Sequence, residues 1–155
     1  MITIKTEIFV DGILGKEITD FLLNCNDENY QKWWNGTHIR LHNLKKYPDN
    51  IGNIVFMDEY IGEQRVKMKG IVKDAIPGEK IIWQLKKIIK LPIKLFLELE
   101  DYRDGVKIRH TIKLGFKSIG KILDPIFRLK FSKNFEKAMD EHVKIEFPKL
   151  RDLLN

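Results

Sequence analysis

A long β-like tract, residues 37–116, is the feature that most constrains how this chain can fold. Six segments in it alternate polar and apolar residues, and turn-forming sequences such as YPDN, IGEQ, IPGEK and RDGV lie between them. The alternation predicts antiparallel strands at roughly 37–45, 53–61, 65–75, 79–87, 93–103 and 106–116. Isoleucine and valine also recur at alternate positions within residues 2–10, which predicts one earlier strand.

Helical spacing of apolar residues appears on both sides of this tract. Residues 13–24 and the DENYQKWW segment that follows are predicted as two short helices between the first and second strands. A long helix is predicted over residues 125–147, with Pro148 ending or kinking it. Its apolar stripe comprises Phe127, Phe131, Phe135, Ala138, Met139, His142 and Val143.

Three hairpin turns predict which side chains share one face of the sheet, because residues paired across an antiparallel ladder point the same way. If Asp104 and Gly105 are the central residues of the last turn, Leu99 lies opposite His110 and Leu97 lies opposite Ile112. The turns at Gly62-Glu63 and Pro77-Gly78 pair Met57 with Met68, Glu59 with Val66, Val72 with Trp83 and Gly70 with Leu85. The predicted inner face comprises Val55, Met57, Glu59, Ile61, Val66, Met68, Gly70, Val72, Ile81, Trp83, Leu85, Leu95, Leu97, Leu99, His110, Ile112 and Leu114.

Glu59 and His110 are the two ionisable residues on this otherwise apolar face. An unpaired carboxylate or imidazolium is costly to bury, and the usual resolutions are a partner, a shifted pKa or a water-filled cavity. Two interpretations stay open at this point. Either a satisfied core histidine and a glutamate at the sheet rim sit in a packed interior, or the sheet and the long helix enclose a ligand cavity.

The order of one strand, two short helices, six strands and a long C-terminal helix resembles the helix-grip fold of the START-like superfamily. That superfamily, whose domains are also called SRPBCC-type, includes the Bet v 1-like proteins and the polyketide cyclase/dehydrase group. The segments that carry the resemblance are YQKWWNGTHIRLH, GNIVFMDEYIG, IPGEKIIWQ, LELEDYRDGVKIRHTI and LDPIFRLKFSKNFEKAMDEHVKIEFPKLRDLL.

This resemblance implies a single α+β domain over residues 1–155, with a curved seven-stranded antiparallel sheet wrapped around the long C-terminal helix and two short helices between strands 1 and 2. It also implies a cavity between sheet and helix for a small hydrophobic or aromatic molecule, lipid-like or polyketide-like. The candidate ligand-binding residues are Trp33, Trp34, Arg40, Met57, Glu59, Met68, Trp83, Leu97, Leu99, His110, Phe135, Met139 and His142.

The HIRLH motif, residues 38–42, alternates three polar with two apolar side chains along a predicted strand. Alternation alone does not tell which set faces inward: an inward Arg40 would anchor a ligand carboxylate or phosphate, and an outward one would be solvated. A zinc site that uses both histidines of the motif is excluded, because four residues of strand separate them by about 13 Å. No metal and no cofactor are predicted.

Three functions are weighed. The first is a carrier or sensor for a small hydrophobic molecule; the second is a cyclase/dehydratase-like enzyme in which His110, Glu59 and His142 transfer protons. The third is an interaction module that docks on acidic partners or anionic lipid and ranks last. Its basic patch would comprise Lys121, Arg128, Lys130, Lys133 and Lys137.

Charge and composition add bounds to these functions. The net charge is +6, and the 28 basic residues are spread along the chain without a run of like charge. This distribution favours a solvated surface over nucleic-acid binding. No apolar run approaches the roughly 18 residues of a membrane span, so a cytoplasmic protein without integral membrane association is expected, with transient contact to anionic membranes left open. The single cysteine, Cys25, is predicted to be a buried structural thiol.

Overall fold

One antiparallel sheet and three helices make up the part of the chain that the structure, a computed structural model, describes: residues 2–86, 90–115 and 132–155. The elements in chain order are β1 (Ile2–Asp11), α1 (Gly15–Asn24), α2 (Asp27–Trp33), β2 (His38–Lys45), β3 (Ile54–Ile61), β4 (Gln64–Ile76), β5 (Lys80–Lys86), β6 (Lys90–Tyr102), β7 (Gly105–Leu114) and α3 (Lys133–Leu154). The seven strands are ordered β1-β7-β6-β5-β4-β3-β2, so β1 and β2 form the two edges. The predicted α+β helix-grip architecture is confirmed.

Helix α3 contacts strands near both edges of the sheet, which shows that the sheet curves around it. At one side, the Thr6 hydroxyl of β1 donates to Asp140 Oδ1 of α3 at 3.0 Å. At the other side, His142 Nε2 of α3 lies 3.4 Å from Glu59 Oε2 of β3. The core lies between this concave face and the apolar side of α3, where Val143 and other helix residues are fully buried.

In all three predicted hairpins, the observed register keeps the predicted side chains on the inner face of the sheet. The β3-β4 pairs are as predicted, with Met57 opposite Met68. Val72 lies opposite Trp83 as predicted, although Ile76 pairs with Lys80 across a longer turn. An irregularity between Val72 and Asp74 absorbs the difference, so the inner face is unchanged.

The β6-β7 hairpin is shifted by two residues from the predicted register. Leu97, not Leu99, lies opposite His110, because the turn is built on Arg103 and Asp104, with Arg103 at a φ of 57°. Gly105 instead begins β7, where a Cβ atom would lie 2.3 Å from the Val10 carbonyl oxygen of β1. A two-residue shift preserves the side-chain faces, because the period of a strand is two.

Helix α3 differs at both ends from the predicted helix over residues 125–147. Ser132 is its N-cap and accepts a hydrogen bond from the Phe135 backbone N–H, so the helix begins at Lys133. Phe127 and Phe131 of the predicted stripe lie outside the described residues. Of the two predicted outcomes at Pro148, an end or a kink, the helix does not end there but continues to Leu154. Phe147 and Leu150 are buried on either side of the proline.

The fold bears on two sequence predictions about partners, namely the basic patch and the absence of a membrane span. Lys133 and Lys137 of the proposed basic patch are exposed on the first turns of α3, whereas Lys121, Arg128 and Lys130 lie outside the described residues. Among the described helices, none combines the length and the apolar character that crossing a membrane requires.

Candidate functional site

A cavity of about 130 Å³ lies between the concave face of the sheet and helix α3, as the second interpretation of the sequence predicts. Aliphatic, aromatic and methionine side chains of the predicted inner face supply most of its wall, with further residues from α1, α2 and α3. The lining residues from the predicted binding set are Trp33, Met57, Glu59, Met68, Trp83, Leu97, His110, Phe135, Met139 and His142. Their roles in binding a ligand stay predictions.

One end of the cavity is polar. Glu59, His142 and Glu146 line it there, and His38 lies directly behind them. His38 Nε2 is 3.7 Å from Glu59 Oε2 and 3.4 Å from Glu146 Oε1. His142 Nε2 is 3.4 Å from Glu59 Oε2 and 3.8 Å from Glu146 Oε2. These four residues, called the His-Glu cluster below, bring two imidazoles and two carboxylates together at the cavity wall.

Local structure explains why these four side chains meet. His142 and Glu146 are four residues apart on α3 and therefore lie on the same helix face. His38 and Glu59 are directly paired across strands β2 and β3, so their side chains point to the same side of the sheet. The helix face and the strand pair oppose each other where α3 passes over the β2-β3 edge.

The inward direction of His38 depends on a β-bulge. The β2-β3 register shifts between His38, which pairs with Glu59, and Arg40, which pairs with Asp58. The extra residue, Ile39, breaks the alternation, so His38 faces the interior while Arg40 faces solvent. The side chain of His38 is fully buried, and neither of its ring nitrogens has a hydrogen-bond partner among the described residues.

Two aromatic side chains of α2 contact the His-Glu cluster. The Tyr30 hydroxyl of α2 donates to Glu59 Oε2 at 2.8 Å, and its ring stacks on His38. Trp33 donates from Nε1 to the backbone carbonyl of Glu146 at 2.7 Å and also meets the His38 ring edge-on. The cluster is thus packed against α2, whose Tyr30 and Trp33 also line the cavity.

Burial and charge act in opposite directions on the ionisable groups of the site. Burial alone would raise the pKa of Glu59, but its interactions with His142, His38 and Tyr30 outweigh burial and lower that pKa. Burial would lower the pKa of His142, yet the carboxylates of Glu146 and Glu59 raise it above its usual value. Burial, followed by the same two carboxylates, places the pKa of Tyr30 well above its ordinary range.

His110 is not part of the His-Glu cluster and lies on the cavity wall formed by β7. Burial is the main influence and lowers the pKa of its imidazole, although Glu146 and Glu59 oppose that shift. Its Nδ1 atom is buried and has no hydrogen-bond partner within the described ranges. The histidine predicted on the inner face is therefore a neutral, cavity-lining group near neutral pH.

Three residues of the predicted binding set do not line the cavity. Arg40 is on the outer face, where its Nη2 atom lies 3.3 Å from Asp58 Oδ2 and its guanidinium stacks over Phe56, so it cannot anchor a ligand inside. Leu99 is buried opposite Ile108, nearer the end of β6, because of the two-residue register shift. Trp34 is the C-cap residue of α2 and packs on the ring of His142, with ring centroids 4.8 Å apart.

The sequence reasoning missed Tyr30, His38 and Glu146. Glu146 had a usable signal, because it follows the predicted inward His142 by four residues in a predicted helix. His38 had none, since strand alternation assigned it to the same face as Arg40. Tyr30 reaches the site from a short helix whose packing no local pattern defines.

Solved structures of other proteins share this architecture over nearly the whole chain. The Aha1 dimer from Colwellia psychrerythraea matches with a TM-score of 0.54 at 15% identity, covering 96% of this chain and 99% of that chain. Ginseng major latex-like protein 151 from Panax ginseng matches with a TM-score of 0.56 at 10% identity, covering 92% and 98%. The di-domain ARO/CYC StfQ of the steffimycin biosynthetic pathway matches at 0.57 and 16% identity, covering 97% of this chain and 49% of that chain.

These likenesses establish the class of fold. The chain shares the fold of these proteins, which is the helix-grip fold that the order of its elements predicts. No protein-family model matches the sequence, and no curated protein matches it either.

Proposed function

We propose that this chain binds a small apolar or aromatic molecule in the cavity beneath α3, with any polar group of that molecule directed at the His-Glu cluster. The observation that carries the proposal is the cavity itself, which is apolar over most of its wall and polar at one end. Concave sites of this composition are typical of small-molecule binding, and the apolar wall supplies the main driving force.

The size of the cavity narrows the ligand class. Its volume is about 130 Å³, and an apolar protein cavity of about 150 Å³ is large enough to take up benzene. A single aromatic ring or a short branched acyl group therefore fits without rearrangement. A longer lipid-like or polyketide-like molecule would have to displace lining residues, and the flexible side chains of Met57, Met68 and Met139 are suited to such movement.

Two adjacent residues of β6 allow a matched test. Leu95 lines the cavity, and Lys94 is exposed on the opposite face of the same strand. Leu95→Trp should fill the cavity, whereas Lys94→Trp adds the same bulk outside it. Saturation-transfer NMR with toluene and with indole should detect binding to the wild type and to Lys94→Trp, and its loss in Leu95→Trp. Absence of binding to the wild type, or equal binding by both variants, would contradict the proposal.

A second candidate function is proton transfer on a bound substrate, as in the cyclase/dehydratase-like alternative. One observation favours it: His110 lines the cavity, and its Nδ1 atom has no hydrogen-bond partner among the described residues. The test is the conversion of an N-acetylcysteamine thioester of a linear poly-β-ketone to a cyclised aromatic product, followed by absorbance. Turnover by the wild type that is lost in folded His110→Ala supports this function; equal product with and without protein contradicts it.

A further inference from the structure

The geometry points to a divalent transition-metal site at the His-Glu cluster, with His38, Glu59, His142 and Glu146 as its four protein ligands. One potential ligand atom from each residue lies within 4.8 Å of all the others. The inference concerns the polar end of the cavity and does not depend on the proposed binding of an apolar molecule.

The four groups lie close enough together to approach a tetrahedral coordination sphere. Metal-ligand bonds of about 2.0–2.1 Å, as in zinc sites, place the ligand atoms of a tetrahedron about 3.3–3.4 Å apart. Glu59 Oε2 lies 3.4 Å from His142 Nε2 and 3.7 Å from His38 Nε2. Glu146 approaches the same two nitrogens with different oxygens, Oε2 at 3.8 Å from His142 and Oε1 at 3.4 Å from His38. These distances are long for hydrogen bonds, and side-chain movements that close separations of up to 4.8 Å would bring one atom from each residue onto one ion.

The buried imidazoles supply a second, independent observation. His38 is 1% exposed, and neither of its ring nitrogens has a hydrogen-bond partner among the residues that the structure describes. His142 is also buried, and its Nε2 atom, which faces the same two carboxylates, has no partner either. Unpaired buried polar atoms are costly and uncommon, and a metal ion would satisfy both Nε2 lone pairs at once.

Charge balance favours a doubly charged cation. The carboxylates of Glu59 and Glu146 together carry two negative charges, which a divalent ion would neutralise within a largely enclosed site. Two imidazoles and two carboxylates suit zinc and the neighbouring first-row metals better than calcium or magnesium, which prefer oxygen ligands throughout.

The surroundings already fix the orientation of the ligands. Tyr30 donates to Glu59 Oε2 and stacks on His38, while Trp33 and Trp34 contact the His38 ring at its edges. Such outer contacts orient metal ligands and raise affinity. The sequence prediction that the chain binds no metal rested on His38 and His42 as a pair. His42 faces away and contacts Asp27, so the site draws only His38 from that motif.

The experiment is a titration of EDTA-treated full-length protein with Zn²⁺ in competition with a chromogenic chelator. The wild type should bind one equivalent per chain. Since loss of an outer contact alone reduces metal affinity about 10- to 100-fold, loss of a ligand in Glu146→Gln or His38→Gln should reduce it at least as much. His42→Gln and Glu141→Gln are the matched controls, because they change the same residue types at positions that point away from the cluster, and both should bind as the wild type does.

Two further readouts keep the inference testable if a buried substitution prevents folding. Co²⁺ added to the wild type should give the intense visible absorption of a four-coordinate ion, and Zn²⁺ should raise its thermal midpoint. Failure of the wild type to bind one equivalent would overturn the inference and leave the cluster as a network of imidazoles and carboxylates. Equal binding by Glu146→Gln and the wild type, or an octahedral Co²⁺ spectrum, would overturn it too.

Retained Zn²⁺ binding in Leu95→Trp would separate this site from the proposed ligand cavity.

Discussion

The imidazole ring of His38 stacks face to face on the phenol ring of Tyr30, with ring centroids 4.0 Å apart and planes within 4° of parallel. The Tyr30 hydroxyl extends beyond this stack and donates to Glu59, the cross-strand partner of His38. Helix α2 therefore holds both members of a β2-β3 pair, and it connects the small helices directly to the polar end of the cavity.

Tyr30→Phe should destabilise the fold by about 1–3 kcal/mol, because it removes the hydrogen bond to a largely buried carboxylate while keeping the ring stack. Urea denaturation followed by circular dichroism would measure the loss. Tyr102→Phe is the control, since that tyrosine is 42% exposed, and its change should stay within about 0.5 kcal/mol. Equal effects of the two substitutions would show that the Tyr30 hydroxyl contributes nothing specific.

His110 should make the fold less stable in acid. Burial lowers the pKa of the folded-state imidazole, against the opposing charges of Glu59 and Glu146, whereas the unfolded chain titrates near its usual pKa of about 6.5. Below that pH the unfolded state gains a proton that folded His110 does not accept, so this stability is present above pH 6.5 and is lost as the pH falls.

The measurement for His110 is the free energy of unfolding in urea at several values between pH 7.5 and pH 5. The wild type should lose more stability over this range than His110→Gln, by at most about 1.4 kcal/mol per pH unit. Because the other ionisable groups near the cavity, including His142, are retained in both proteins, the difference isolates His110. Parallel profiles would contradict the lowered pKa.

Cys25 should resist thiol reagents in the folded protein. Its side chain is buried and donates to the Asn26 carbonyl, and burial raises the pKa of the thiol to about 12. At pH 8 the folded chain should react with a disulfide reagent at least about a thousandfold more slowly than the urea-unfolded chain, because the thiolate is the reactive form. An exposed thiol introduced as Lys16→Cys in a Cys25→Ala background provides the reference. Comparable rates for Cys25 and that reference would refute the prediction.

Gly105→Ala should be among the most damaging small substitutions in the sheet. The added Cβ would lie 2.3 Å from the Val10 carbonyl oxygen and 2.7 Å from Asp11 Cα, and both are backbone atoms that cannot move without disturbing β1. We expect a loss of about 3 kcal/mol or more in the free energy of unfolding. Gly36→Ala has open space around its Cβ and only a positive φ of 83° to accommodate, so about 1–2 kcal/mol is expected. The reverse order of the two losses would contradict this account of Gly105.

Local patterns were sufficient for the strands and for most of the cavity wall. Residue alternation and turn chemistry are short-range properties, so they predicted all seven strands and the inward direction of residues such as Met68, Trp83 and His110. The β6-β7 register was wrong by two residues because the Asp-Gly pair indicated a turn, whereas Gly105 serves a close approach to β1. That approach is a tertiary contact that no local pattern encodes.

The polar end of the cavity was predicted only in part. Glu59 and His142 stood out because each is ionisable at a position that periodicity assigns to the interior. His38 and Arg40 could not be separated, since the bulge at Ile39 that turns one inward and the other outward depends on pairing with β3. Trp34 and Leu99 were wrongly predicted to line the cavity, because their positions also depend on tertiary packing that local patterns do not encode.

By itself the sequence determined the order of the elements, the two faces of the sheet and the apolar side of α3, because these follow from interactions between residues close along the chain. Only the tertiary structure decided that His38 and Glu146 join Glu59 and His142 beside a cavity. That meeting requires a bulged edge strand, a stacked tyrosine from α2 and the passage of α3 across β3, and packing between elements distant in the sequence sets all three.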